Sequence, residues 1–138
     1  MTTHSVETVF NDNMSFTANI NGHNVRMDTT ADEGGQDSGP GPKRMMLASL
    51  AGCTGIDIVS ILNKMKVDFT DFGINVHAAL TTEHPKTYNY VKITYKIKLA
   101  EEDKSKMIKA VQLSTEKYCG VFAMFKSFAK MDTEIDYL

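Results

Sequence analysis

The sequence predicts an α+β fold, in which strands and helices come in separate runs along the chain. An apolar segment with helical periodicity over residues 43–66 follows an N-terminal pair of β-strands. Residues 72–80 and 88–99 then alternate apolar and polar side chains with the period of two that strands show, and two helical segments and a short strand end the chain. This order differs from the βαβ alternation that builds a parallel sheet. The length of 138 residues suits one domain over 1–138.

The N-terminal residues predict an antiparallel ribbon. The stretch NMSFTANI places Phe16, Ala18 and Ile20 on one face of a strand, because alternate side chains of a strand point to the same side. Asn21 and Gly22 then provide the dipeptide that type I′ hairpin turns prefer, and HNVRMDT is the returning strand. The upstream stretch VETVF predicts a weaker third strand.

A loop and a long helix follow the ribbon. Residues 30–42 predict a loop, since TADEGGQDSGPGP holds four glycines and two prolines and lacks the spacing of a phosphate-binding P-loop. Pro42 suits the first turn of a helix, where its missing N–H is not needed. The predicted helix runs from Lys43 to about Lys66 and is apolar almost all round, so we expect a long central helix buried on several sides, by its own sheet and by a second subunit. Its apolar positions are Met45, Met46, Leu47, Leu50, Ile56, Val59, Leu62 and Met65.

The second half of the chain predicts an antiparallel sheet and two C-terminal helices. FGINVHAAL and YNYVKITYKIKL form two strands, and the second buries alternate apolar residues while its lysines face outward. The acidic residues 101–103 begin a helix that ends near Ser114, and a second helix over EKYCGVFAMFKSF is capped by Ser114 or Thr115. The stretch DTEIDYL predicts a final short strand. The inward-facing residues of the second strand are Val91, Ile93, Tyr95, Ile97 and Leu99.

The charge balance argues against nucleic acid as a partner. The 15 Lys and Arg residues and 17 Asp and Glu residues give a net charge of -2, which leaves no excess positive charge to neutralise phosphates. We expect no stretch to be long and apolar enough to span a bilayer, and MTTHSVETVF lacks the basic and apolar regions of a secretory signal. These observations predict a cytoplasmic protein without a membrane partner. The histidines lie outside metal-ligand spacing of a cysteine or of one another, which predicts no metal site.

Cys53 is the first candidate for chemistry, because it belongs to a polar stripe on the apolar helix. One interpretation is a mildly amphipathic helix with one edge in water, and the other is a thiol inside a mostly enclosed pocket. A reactive thiolate needs positive potential nearby, and the available cations are Arg26, Lys43 and Arg44. The stripe consists of Cys53, Asp57, Ser60 and Lys64, and the small residues Ala48, Ala51, Gly52 and Gly55 lie roughly opposite, where another backbone could approach closely.

Cys119 is the second candidate and has a different setting. A helix cap at Ser114 or Thr115 would put its thiol within about two turns of a helix N-terminus, which modestly favours the thiolate. The same position is equally consistent with a buried structural cysteine. In a reducing compartment, two cysteines are more often free thiols or a catalytic pair than a structural disulfide.

Two motifs resemble those of a known family. GPGPKRMMLASLAGCTGIDIVSILNKMK resembles the central cysteine helix of OsmC/Ohr proteins, particularly of their short predicted-redox subgroup, and LSTEKYCGVFAMF resembles the second cysteine motif of that subgroup. Together with the NGHNVRMD hairpin, the resemblance covers nearly the whole chain in the right order. It implies an intertwined homodimer, in which sheets wrap two long central helices and two equivalent sites lie at the interface.

The resemblance also implies roles for three residues. Cys53 would be the peroxidatic thiol, which attacks the O–O bond of a small organic hydroperoxide and becomes a sulfenic acid. Cys119 would resolve this to a disulfide, and a lipoyl-type dithiol such as dihydrolipoamide would reset it. Arg26 is the arginine of the N-terminal ribbon that corresponds to the thiolate-activating arginine of the family. No metal, flavin or haem cofactor is implied.

One departure from the family pattern keeps three hypotheses open. Ohr-type peroxidases carry a glutamate just after the proline that opens the cysteine helix, whereas Lys43 and Arg44 follow Pro42 here. The first hypothesis is a thiol-dependent organic hydroperoxide reductase. The second, which the missing glutamate favours, is a thiol-disulfide or electrophile-responsive protein without efficient peroxidase activity. The third is a non-enzymatic dimer that binds an apolar ligand at its interface.

Overall fold

The computed structural model describes all residues from 1 to 138. Strands and helices come in separate runs, which confirms the predicted α+β class. The chain divides into two compact units, Met1–Met46 and Leu47–Leu138, and their boundary lies inside the long helix. The single domain over 1–138 therefore stays a prediction.

The first unit contains a three-stranded antiparallel sheet. Strands β1 (Glu7–Phe10), β2 (Phe16–Ile20) and β3 (His23–Met27) pair in that order. Asn21 and Gly22 join β2 to β3 with φ angles of 52° and 81°, and a type I′ turn requires this left-handed conformation at both positions. The predicted ribbon and its weaker third strand are both confirmed.

The loop after β3 is organised around the carboxylate of Asp28, which is only 3% exposed. This carboxylate accepts hydrogen bonds from the Ser38 hydroxyl at 2.5 Å, from the Thr29 N–H at 2.7 Å and from the Ser38 N–H at 3.1 Å. These bonds, that of the Ser38 hydroxyl above all, lower the pKa of Asp28 to about 2. Gly35 lies so close to the carbonyl of Thr29 that a Cβ there would overlap with it. The predicted loop is confirmed, and a single 3₁₀ turn is its only helical segment.

Helix α1 (Pro42–Lys64) confirms the predicted long helix and begins at the expected proline. It ends before Lys66, which adopts the left-handed conformation with a φ of 58°. Within this chain only one face of α1 is buried, and the opposite face is open, with Ile56 73% exposed. Burial on several sides is therefore not reached by a single chain. The buried residues are Leu50, Thr54, Ile58 and Leu62.

The composition of α1 corrects one expectation. The helix is long and apolar enough to cross a membrane, so the expectation that no stretch meets this criterion is wrong. Its apolar residues nevertheless have a place in the protein interior, since Leu50, Ile58 and Leu62 belong to the hydrophobic core of the second unit. Core helices of soluble proteins meet the same criterion, and 28% of the apolar stretch of α1 is buried within this chain.

The second unit contains a three-stranded sheet of mixed direction. Strands β4 (Phe69–Leu80) and β5 (Tyr88–Leu99) pair antiparallel, whereas β6 (Lys130–Tyr137) pairs parallel to β5. The predicted antiparallel sheet is thus correct for β4 and β5 and wrong for β6. The helices between β5 and β6 form the long crossover that a parallel pair needs, and nothing in the alternation of a strand reveals its direction. One face of β5 is completely buried, as predicted, at Val91, Ile93, Tyr95 and Ile97.

Two helices link β5 to β6, as predicted. Helix α2 (Lys104–Leu113) follows a short 3₁₀ turn formed by the acidic residues, and helix α3 (Gly120–Lys126) precedes β6. Between them the chain widens into a π-helical turn over Ser114–Tyr118. Such turns are rare and are often found at functional sites.

The start of α3 differs from the prediction. Cys119 has an extended conformation, with a φ of -78° and a ψ of 101°, and is itself the N-cap of α3. The expected cap at Ser114 or Thr115 is therefore wrong. Both residues belong to the π-helical turn that continues α2, and the Cys119 N–H donates to the Ser114 carbonyl at 2.8 Å.

Candidate functional site

The two cysteine side chains lie side by side in the second unit. Cys53 is half-buried on α1, and Cys119, at the N-cap of α3, is 3% exposed. Both are free thiols, and their side chains are close enough to interact electrostatically. No third His, Asp or Glu joins them in a group that could hold a metal ion. The structure thus brings the two candidate thiols together, while their catalytic roles stay predictions.

The Cys119 thiol holds its proton tightly. Burial raises the pKa of Cys119 to about 12, and the interaction with the Cys53 side chain acts in the same direction. The Phe122 N–H, which donates to Cys119 Sγ at 3.3 Å, acts in the opposite direction. Removal from water outweighs this donor, so of the two settings that the sequence left open for Cys119 the structure has the buried cysteine, although the N–H at the start of the helix does favour the thiolate as expected. At neutral pH Cys119 therefore keeps its proton.

A chain of hydrogen-bonded hydroxyl groups lies beside the thiols. Tyr95 Oη is 2.9 Å from Thr54 Oγ1, Thr54 Oγ1 is 2.7 Å from Ser114 Oγ, and Ser114 Oγ is 3.0 Å from Asp57 Oδ2. The three hydroxyl-bearing residues are completely buried, whereas Asp57 is half-buried. Asp57 and Tyr95 both interact electrostatically with Cys119. We call these four residues, Tyr95, Thr54, Ser114 and Asp57, the hydroxyl chain.

The hydrogen bonds of the hydroxyl chain are all donated in one direction, from Tyr95 toward Asp57. A carboxylate only accepts hydrogen bonds, so the single proton of Ser114 goes to Asp57. Thr54 must then donate to Ser114, and Tyr95 must donate to Thr54. Burial raises the pKa of Tyr95 to about 12, so its hydroxyl retains the proton that this direction requires. Every hydroxyl in the chain is thereby satisfied.

Sequence reasoning found only part of this site. Asp57 was a candidate as a member of the polar stripe, but Ser60 and Lys64 of the same stripe are exposed and take no part in the hydroxyl chain. Thr54 is the single polar residue on the buried face of α1, and a polar residue at such a position was a signal that could have been used. Tyr95 gave no signal, because aromatic residues are common in buried strands.

The three candidate cations belong to the first unit, whereas both cysteines belong to the second. Arg26 belongs to the first unit, where its Nε donates to Ser38 Oγ at 2.9 Å and its Nη2 donates to Ser15 Oγ at 3.0 Å. Nη2 also lies 3.7 Å from Asp12 Oδ1. Lys43 and Arg44 are exposed in the first turn of α1. Activation of Cys53 by Arg26 stays a prediction.

An open groove of about 620 Å³ lies along the exposed face of α1, and neither cysteine lines it. A Cβ at Gly52 would meet open space, whereas a Cβ at Gly55 would lie 3.0 Å from Ile74 Cδ1 of β4. Of these two glycines, only Gly55 therefore allows another part of the same chain, Ile74 of β4, to lie close to α1. The groove is largely apolar, with Ile56, Val59 and Phe72 among its lining residues.

Comparison with known proteins places these features in a family. Residues 35–134 match the family model described as OsmC-like protein. The chain is also 30% identical over 105 residues to Protein YhfA of Escherichia coli strain K12, a match that covers 76% of this chain and 75% of that protein. The name of that relative states no activity.

Solved structures share the same fold. A hypothetical protein from Aquifex aeolicus VF5 has a TM-score of 0.86 and 26% identity, and the match covers 100% of this chain and 98% of that one. An organic hydroperoxide resistance protein from Elizabethkingia anophelis has a TM-score of 0.72 and 10% identity, with 100% and 98% coverage. An organic hydroperoxide resistance protein OsmC from Legionella pneumophila has a TM-score of 0.69 and 12% identity, with 99% and 98% coverage. At these two low identities the likeness concerns the fold alone.

Proposed function

This chain belongs to the family of OsmC-like proteins, and from that membership we propose that it reduces organic hydroperoxides through Cys53 and Cys119. Membership supports a redox or hydroperoxide-resistance role in general. The observation that carries the finer proposal is the proximity of two interacting free thiols, one half-buried and one buried. Two neighbouring thiols can form a disulfide without a large rearrangement of the chain.

The first step assigns different roles to the two cysteines. Cys119 is buried and protonated, so it is a poor nucleophile toward an incoming peroxide. The half-buried Cys53 is therefore the thiol that meets the substrate. Its thiolate attacks the terminal oxygen of the hydroperoxide, the O–O bond breaks, the alkoxide leaves and is protonated to the alcohol, and Cys53 becomes a sulfenic acid.

The second step restores the site. Cys119 Sγ attacks Cys53 Sγ, the S–O bond breaks, and the leaving hydroxide departs as water with the proton of Cys119. A dithiol such as dihydrolipoamide then reduces the disulfide by two thiol-disulfide exchanges and is itself oxidised to the cyclic disulfide. A cytoplasmic location, where thiols are kept reduced, belongs to this proposal.

The test compares peroxide turnover in three proteins. Wild type, Cys53→Ser and Cys119→Ser are assayed with cumene hydroperoxide and with hydrogen peroxide, using dihydrolipoamide as reductant. We expect wild type to prefer the organic peroxide, Cys53→Ser to be inactive, and Cys119→Ser to accumulate a dimedone-reactive sulfenic acid at Cys53. Wild-type turnover as slow as that of Cys53→Ser would refute the proposal.

A homodimer is part of the same proposal. The exposed face of α1 carries Ile56, which is 73% exposed, beside the apolar groove and the open space at Gly52. A second copy packed on this face would bury it, as an apolar helix face requires. We expect a dimer in sedimentation at micromolar concentration, a monomer for Ile56→Glu, and a dimer for the control Ile108→Glu on α2, where the native residue is 47% exposed. A monomeric wild type would contradict this.

A thiol switch is the second candidate function. The first turn of α1 contains no acidic residue, and Lys43 and Arg44 are exposed there, so no carboxylate of that turn can orient an activating arginine. This candidate predicts a reversible disulfide between Cys53 and Cys119 with little turnover of either peroxide. An apolar-ligand carrier, which the groove on α1 would suit, predicts that binding of an apolar fluorescent probe survives replacement of both cysteines by alanine.

A further inference from the structure

Ser114 contacts both elements that carry the cysteines. Its hydroxyl accepts a hydrogen bond from Thr54 at 2.7 Å and donates one to Asp57 at 3.0 Å, and both partners are on α1 close to Cys53. Its carbonyl accepts the N–H of Cys119 at 2.8 Å. One residue thereby links the helix of the first thiol to the backbone of the second.

The setting of Ser114 calls for a reason beyond packing. Ser114 and Thr54 are completely buried, and Thr54 interrupts an otherwise apolar helix face. Buried hydroxyls must recover the hydrogen bonds that they lose to water, so an apolar pair of similar size could fill the same space at no greater cost. The hydroxyls add precise placement, since a hydrogen bond fixes the relative position of two elements more narrowly than an apolar contact does.

The segment that Ser114 holds is irregular. The π-helical turn Ser114–Tyr118 is wider than an α-helical turn, and Cys119 after it is extended. Tyr118 at the end of the turn is 54% exposed, so the turn has little packing of its own there. The position of Cys119 therefore depends on the two ends of this short segment, and Ser114 is the end that is fixed to α1.

We propose that Ser114 is a positioning residue for disulfide formation: its two side-chain bonds to α1 hold the turn that carries Cys119, so that Cys119 Sγ stays aligned with Cys53 Sγ. This inference rests on the proposed function. The step concerned is the attack of Cys119 Sγ on the sulfenic sulfur of Cys53, in which the S–S bond forms, the S–O bond breaks, and hydroxide leaves as water with the proton of Cys119. Attack on sulfur needs a close and aligned approach, which positioning supplies.

The test follows single-turnover oxidation in Ser114→Ala, with Thr115→Ala as the matched control. Thr115 lies in the same turn, but its hydroxyl bonds only to carbonyls of its own helix, that of Val111 at 3.0 Å being the nearer. After one equivalent of cumene hydroperoxide, dimedone trapping reports the sulfenic acid and alkylation mass spectrometry reports the disulfide.

We expect Ser114→Ala to form the sulfenic acid at the wild-type rate and the disulfide about tenfold or more slowly. Thr115→Ala should form the disulfide within about twofold of wild type, and Ser114→Thr, which keeps the hydroxyl, should recover most of the rate. Disulfide formation by a folded Ser114→Ala protein within about twofold of wild type would overturn the proposal.

Two further measurements separate this proposal from a general loss of stability and from failure of the peroxidase reaction. Tyr95→Phe removes a hydroxyl from the same hydroxyl chain but leaves both bonds of Ser114 in place, so it should not slow disulfide formation. Equal slowing in Tyr95→Phe and Ser114→Ala would contradict positioning by Ser114.

Diamide, which accepts two electrons and two protons from a pair of thiols, forms the disulfide without peroxide. If wild type does not react with hydroperoxide, slow oxidation of Ser114→Ala by diamide still supports the proposal, and oxidation at the wild-type rate refutes it.

Discussion

Replacing Thr54 by valine tests whether the hydroxyl chain stabilises the second unit. Valine has nearly the volume of threonine, so the change removes a hydroxyl without leaving a large cavity. Tyr95 would then keep a buried O–H without an acceptor, and Ser114 would lose the hydrogen bond that it accepts while keeping its bond to Asp57. The side chain of Tyr95 is completely buried, so water cannot replace the lost partner.

The expected loss follows from these two contacts. An orphaned buried donor costs about 1–3 kcal/mol, and loss of an accepted hydrogen bond costs about 1 kcal/mol. We therefore expect Thr54→Val to lower the free energy of unfolding by about 2–4 kcal/mol. Tyr95→Phe alone should cost about 1 kcal/mol, because Thr54 can still donate to Ser114.

The assay is urea unfolding at one fixed protein concentration, followed by circular dichroism, since the stability of the proposed dimer would depend on concentration. The double variant Thr54→Val/Tyr95→Phe has no orphaned donor, so its loss should be smaller than the sum of the single losses by about 1–3 kcal/mol. A Thr54→Val protein within about 0.5 kcal/mol of wild type, or strictly additive variants, would refute the reasoning.

Three further predictions concern other residues. The pKa of Asp28 is lowered to about 2 from an ordinary 3.8, so the ionised carboxylate stabilises the folded protein above pH 3.8, and this stabilisation is lost as the pH falls through about 2. The Tm should therefore fall more steeply below pH 3.8 for wild type than for Asp28→Asn. Parallel curves of Tm against pH would contradict this. Gly35→Ala should destabilise the first unit by about 1–3 kcal/mol, because the new Cβ overlaps with the carbonyl of Thr29; an unchanged urea midpoint would exclude the overlap. Asp57→Asn removes a negative charge that helps to raise the pKa of Cys119, so that pKa should fall; the pH dependence of Cys119 alkylation measures it, and an unchanged or higher midpoint would disprove the electrostatic argument.

Helices and strands could be predicted from the sequence because the period of their apolar residues is visible within a short stretch of the chain. The alternation along β5 placed Val91, Ile93 and Tyr95 on its buried face, and the helical pattern after Pro42 located α1. The Asn-Gly dipeptide located the hairpin for a similar reason, since few other residues tolerate two successive left-handed conformations.

The errors concern features that depend on contacts between distant segments. The direction of β6 is set by its pairing with β5, and no pattern within β6 records it. The cap of α3 is Cys119 and not Ser114, because the Ser114 hydroxyl bonds to α1, about sixty residues earlier in the sequence, and is not free to cap a helix. The sequence could not decide between a thiolate and a buried thiol at Cys119, because burial, which a sequence does not state, outweighs the helix N-terminus. The two cysteines themselves were found from their motifs.

The capping of α3 by a sulfur atom has a consequence for oxidation. The Sγ of Cys119 that accepts the Phe122 N–H is the same atom that would bond to Cys53 in a disulfide. A sulfur in a disulfide is held by a second covalent bond, so formation of the proposed disulfide would shift Sγ relative to the Phe122 N–H and change the cap of α3. A helix of seven residues cannot persist by itself, and it depends strongly on its first hydrogen bonds. The amide of Phe122 should therefore exchange with solvent at different rates in the reduced and oxidised protein, which makes it a local reporter of the oxidation state.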